Sequence, residues 1–110
     1  MFKITKTPEF CHQVKVKLPV DGGFETSTFT ARFRALTISE TEKFDTMTVK
    51  GTTDYLRAIF VGWGDDLVGD DLEPVAYSDK QRDHLIDMAP VRQALLETYN
   101  AALLGVRQGN

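Results

Sequence analysis

Five carboxylates fall within nine residues: Asp65, Asp66, Asp70, Asp71 and Glu73. Hard cations such as Ca²⁺ take their ligands from oxygens of this kind. An EF-hand loop, however, needs glycine at its sixth position and glutamate at its twelfth. Counted from Asp65, those positions hold Asp70 and Ala76. The pattern fails, and no metal site is expected. Gly64, Gly69 and Pro74 mark a turn-rich excursion instead, a flexible acidic loop over residues 64–75 with a small hairpin through Leu67-Val68 and Val75-Ala76. His84 has no second histidine or reactive serine at helical spacing, so an acid–base role lacks partners. Cys11-His12 is an adjacent pair on a strand, where neighbouring side chains diverge. No glycine-rich phosphate loop and no nucleophile–base pattern stands out. The expectation is a protein that is not an enzyme and takes no cofactor.

The basic residues allow a different test. Lys15 and Lys17 on one strand, and Arg32 and Arg34 on the next, share a solvent face. Single-stranded nucleic acid is usually held where such charge is interleaved with aromatics that stack on bases. Phe29 and Phe33 lie on the opposite, core-facing side, and the whole chain carries a net charge of −3. Nucleic-acid binding is therefore not expected. Residues 1–38 hold six Lys/Arg against three Asp/Glu, net +3; the remainder holds seven against thirteen, net −6. Such ends could stack head to tail in a homo-oligomer, or both could simply be solvated faces.

These side chains must sit on a small set of elements. Phe2 and Ile4 alternate with Lys3 and Thr5, the pattern of a short edge strand that Pro8 ends. Val14, Val16 and Leu18 alternate with polar residues, and Phe29, Ala31 and Phe33 do the same after Asp21-Gly22-Gly23. That is a β-hairpin with one wet face, its second strand starting near Phe24 and its loop longer than two residues. Ser39-Glu40-Thr41-Glu42 fits a capping box for a short helix that buries Phe44 and Met47. Val49-Lys50-Gly51 reads as a connector. Leu56, Ile59, Phe60 and Trp63 recur at helical spacing, with Thr52 or Thr53 as N-cap and Gly62 as a left-handed C′ residue. Trp63 then follows as core anchor and helix stop, with ligand stacking as the alternative. Ser78 to Gln81 is a second capping box, opening a helix with Arg82, Leu85, Ile86 and Ala89 on one face. Pro90 starts the last helix. There Val91, Leu95, Tyr99, Ala102 and Val106 form one face, Leu96 and Leu103 widen it, and Leu104 points nearly opposite. Either Leu96, Leu103 and Leu104 form a partner-binding surface, or the helix is packed on two sides by its own domain.

A chain of 110 residues suits a single domain, with a β-hairpin region over 1–36 and a helical region over 37–110. The class is α+β: an N-terminal antiparallel hairpin or small sheet followed by three to four α-helices. One cysteine makes no internal disulfide, and no apolar run of about 18 residues is present to span a bilayer. A cytoplasmic protein with no membrane partner is expected.

Residues 55–63, Tyr-Leu-Arg-Ala-Ile-Phe-Val-Gly-Trp, lead through the Gly/Asp loop to Glu73-Pro74-Val75-Ala76-Tyr77-Ser78. The chain closes with Leu85-Ile86-Asp87-Met88-Ala89-Pro90-Val91-Arg92-Gln93-Ala94-Leu95 and Tyr99-Asn100-Ala101-Ala102. In order and spacing this half of the chain resembles the tail assembly chaperones of long-tailed, siphovirus-type bacteriophages and prophages. The N-terminal half is similar only through its two-stranded start and Leu36-Thr37-x-x-Glu40. The resemblance implies a non-enzymatic virion-assembly factor in the host cytoplasm, absent from the mature virion. It would coat the tail tape-measure protein before tail tube protein polymerises around it. Family members are often made in two lengths by ribosomal frameshifting, and an ending at Asn110 suits the short form. The alternatives are a virion structural protein, such as a tail tube or head–tail completion protein, and a small nucleic-acid-binding regulator.

Overall fold

The alternating stretches build the hairpin. In the computed structural model, which describes residues 1–4 and 8–105, β1 (Glu9–Val20) pairs antiparallel with β2 (Gly23–Arg34) along their full length. The loop is the two residues Asp21-Gly22, shorter than expected, because Gly22 at φ +80° lets the strands close directly on Val20 and Gly23. Val14, Val16, Phe29, Ala31 and Phe33 are buried on one face, as the alternation predicts. Phe2 and Ile4 form no strand among the described residues; Thr5 lies outside them.

The helices come in four pieces: α1 (Ile38–Thr41), α2 (Val49–Ile59), α3 (Asp79–Asp87) and α4 (Ala89–Leu104). The fold is α+β as expected, but the sheet gains a third strand, β3 (Phe60–Trp63), within the region read as helical. Its pairing with β2 corrects the reading of Gly62. α2 ends at Ile59, and Phe60 to Trp63 run antiparallel to Ala31–Phe33 across a bulge. Gly62 is therefore a buried strand residue opposite Arg32, without positive φ, and not a left-handed helix stop. Phe60 satisfies the helical spacing and the core side of the strand equally, which is why periodicity could not separate them.

Two other helix starts also move. The capping box of α1 is Thr37 with Glu40, not Ser39 with Glu42: the Thr37 hydroxyl accepts from Glu40 N, and the Glu40 carboxylate accepts from Thr37 N at 3.0 Å. Phe44 packs edge-on against Tyr55 at 5.8 Å, whereas Met47 is exposed. α2 begins one turn earlier than expected, capped by Thr48, whose hydroxyl accepts from Gly51 N at 2.9 Å. Val49-Lys50-Gly51 is thus the first turn of a helix. A Cβ on Gly51 would overlap the Asp45 carbonyl, so only glycine fits this close approach. In α3 the Ser78 hydroxyl accepts from Gln81 N. Pro90 sits in the first turn of α4, and Gly105 at φ +66° ends it.

The helices cover one face of the sheet and share a single core. Tyr55, Leu56 and Ile59 from α2, Ile86 from α3, and Val91, Ala94, Leu95 and Tyr99 from α4 meet the buried sheet face. Tyr99 lies at the centre, its ring 5.6 Å from Phe33, 6.0 Å from Tyr55 and 6.2 Å from Phe10. Its hydroxyl accepts from Leu36 N at 2.9 Å, fixing the chain where it leaves β2. Burial raises the Tyr99 pKa and pushes that of Tyr55 up to about 12.

Two stability outcomes follow from these contacts. Tyr99→Phe keeps the ring but leaves the Leu36 N–H without its acceptor, at a cost of about 1–3 kcal/mol in urea unfolding. Gly51→Ala, which would stabilise an ordinary helix interior by about 1 kcal/mol, should instead destabilise by about 1–3 kcal/mol, because the Asp45 backbone must shift.

Candidate functional site

Two carboxylates of the acidic loop, Asp66 and Asp71, accept backbone hydrogen bonds. Asp66 accepts from Thr30 N at 3.0 Å and from Thr30 Oγ1 at 2.8 Å, which lashes the loop to the edge of β2 just beyond β3. The backbone bond is the main cause of its lowered pKa. Asp71 accepts from Glu73 N at 3.0 Å. Among the described residues, no group of three or more His, Cys, Asp or Glu side chains could hold a metal ion. The expected small hairpin forms as a bridge between Val68 and Pro74, with Val75 N donating to Leu67 O at 3.0 Å. Leu72, at φ +63° and exposed, occupies a backbone region that a leucine rarely adopts.

Trp63 holds the far end of this excursion. Its indole Nε1 donates to Val75 O at 2.7 Å, and its ring lies 5.5 Å from Phe60 and 5.0 Å from Tyr77. The residue is half-buried against the core, so the anchor reading fits its contacts, whereas the helix-stop reading does not: α2 ends at Ile59 and Trp63 closes β3. The sequence offered no sign of the Val75 bond, which joins two segments twelve residues apart.

Between the loop, the hairpin and the helices lies a cleft of about 640 Å³. Its walls are Val16, Leu18 and Phe29 from the sheet, Leu67, Val68 and Val75 from the loop, and Leu85, Met88 and Val91 from the α3–α4 junction. The charged residues on its lining are Asp66 and Asp70; His84 and Gln81 lie beside them. The cleft lining is mostly apolar, and its charged residues are acidic. Sequence reasoning missed it, because its walls come from three distant stretches, two that read as core and one that reads as a flexible acidic loop.

The residues proposed for partner binding divide. Leu96 is half-buried against the core, while Leu103 and Leu104 are 48% and 77% exposed at the end of α4. Structure thus separates Leu96 from the other two. Val106 lies outside the described residues. On the basic face of the hairpin, Arg32 Nε donates to Glu9 Oε1 at 2.7 Å, and Arg34 lies 3.7 Å from the same carboxylate. Phe24, a residue the strand pattern did not single out, stays exposed there with Lys17 Nζ 5.4 Å from its ring centre. Cys11 is exposed beside Arg32, and the His12 ring bonds to Gln13 O. Neither forms a pair with the other. No helix among the described residues is long and apolar enough to cross a membrane.

The Asp66 clamp has a defined pH dependence. Its folded pKa is depressed, so its contribution is present above the ordinary carboxylate range and is lost as pH falls through the folded value. Asp66→Ala should cost about 0.5–1 kcal/mol in urea unfolding at neutral pH. The gap between variant and parent should close in acid.

No family model, curated protein or solved structure matches the chain.

Proposed function

We propose that this chain is a tail assembly chaperone that binds the tape-measure protein through apolar helix surface. The observation that carries the reading is the end of α4, where Leu103 and Leu104 stay exposed while Val91, Leu95 and Tyr99 on the same helix are buried. Two adjacent leucines left on the surface, next to a helix end, are what a client with an apolar helical face would cover. A tape measure carries such faces along its length and would aggregate without cover. The resemblance in residues 55–110 supplies the identity of that client; the exposed leucines supply a way to hold it. Tail tube protein would enter only as the coat is displaced.

A second reading has its own support. The hairpin tip exposes Val20 and Phe24, which suits a subunit that remains packed against neighbours in a finished virion. Proteomics of purified particles separates the two, since a chaperone should be missing from them.

Copurification with tape-measure segments tests the first reading. Leu103→Glu with Leu104→Glu should reduce recovery by at least about tenfold, the equivalent of 1.4 kcal/mol, with the melting temperature unchanged because neither side chain is in the core. Undiminished binding removes this surface from the proposal.

A further inference from the structure

β2 is only partly covered. β3 pairs with Ala31–Phe33, and Gly64 and Asp66 bond to the backbone of Thr30. Beyond that point, residues 24–28 have β1 on one side and no strand on the other among the described residues. This open edge runs beside the apolar cleft, whose lining includes Ser27, Thr28 and Phe29. An uncovered edge next to apolar surface is a template for an added strand.

The chain itself carries a segment of matching chemistry. Phe2 and Ile4 flank Lys3 in strand alternation, yet they form no strand and are 90% and 89% exposed. Laid along residues 24–28, such a strand would send Phe2 and Ile4 to the side of Phe29, into the cleft, and Lys3 to the side of Thr28 and Thr30. The second side is where Asp66 meets Thr30 Oγ1, so Lys3 arrives near one carboxylate on a face that also carries Lys15 and Lys17, paired with Thr28 and Thr26.

Chain length decides which copy supplies the strand. Ile4 lies five residues before Glu9, a reach of at most about 18 Å. Glu9 pairs with Arg34, and Thr28 is six residues further along β2, about 20 Å away. The open edge is also on the opposite side of β2 from β1, adding about 10 Å across the sheet. The arm cannot reach its own edge. We infer that residues Phe2–Ile4 of one copy add as a strand to residues 24–28 of β2 in a second copy, with Phe2 and Ile4 seated in its cleft. Each copy has one arm and one edge, so the contact can be repeated from copy to copy.

Sedimentation of the full chain, without any client, tests this independently of the chaperone reading. At about 100 μM, where a contact of micromolar strength is mostly occupied, the parent should associate. Phe2→Asp with Ile4→Asp should be monomeric while melting at the parent's temperature, since the arm is outside the core. In a Cys11→Ser background, a copy carrying Lys3→Cys mixed with a copy carrying Thr28→Cys, two side chains on the same face, should form a disulfide between them, and adding Phe2→Asp to the first should abolish it. A monomeric parent, an association the double substitution leaves unchanged, or a mixture that does not cross-link overturns the inference.

Discussion

The hydrogen bond from Leu36 N to the Tyr99 hydroxyl joins the two halves of this molecule. It is made at the margin of the core, by a buried side chain of the last helix and a backbone group at the exit of the hairpin. Around it, Phe10, Phe33 and Tyr55 surround the Tyr99 ring. Aromatic pairs at these separations add about 0.5–1.5 kcal/mol each beyond the area they bury. That arrangement fixes α4 across β1, and so decides which of its faces is spent internally. Val91, Leu95 and Tyr99 face inward because Tyr99 must; Leu103 and Leu104, at the end of the same helix, stay exposed.

Lesser contacts stiffen the same frame. Arg92 donates to Val49 O at 2.7 Å and to Ile86 O at 3.4 Å, so one guanidinium bonds the first turn of α2 and the last turn of α3. Arg57 and Asp83 join α2 to α3 at 3.1 Å. Both partners are partly exposed, so this ion pair contributes little by itself. The loop over residues 64–75 depends on different ties, Asp66 to Thr30 and Trp63 to Val75. Of its carboxylates, Asp66 and Asp70 lie in the cleft lining, and Asp66 and Asp71 accept backbone hydrogen bonds.

Much of this was legible in the residues. Strict alternation in 14–18 and 29–33 placed the sheet face correctly, because a period of two has no helical counterpart over five residues. Pro90 and Ser78 marked helix starts through local chemistry that tertiary contacts did not override. The failures are equally local. Gly51 looked like a linker residue, but it stands where the Asp45 carbonyl leaves no room for a Cβ. Phe60 and Trp63 continued a helical spacing, yet pairing with β2 gave them a better use as strand. The cleft was illegible for a deeper reason: its walls meet only after the hairpin, the loop and the α3–α4 junction have docked.

The central claim is that the end of α4 meets a partner through apolar contact. Amide hydrogen exchange across the chain, with and without an apolar helical segment of a tape-measure protein, tests it most directly. The account predicts slowed exchange concentrated in residues 98–104, where the backbone amides lie under the covered leucines. Unchanged exchange there, or protection confined to the hairpin, would contradict it.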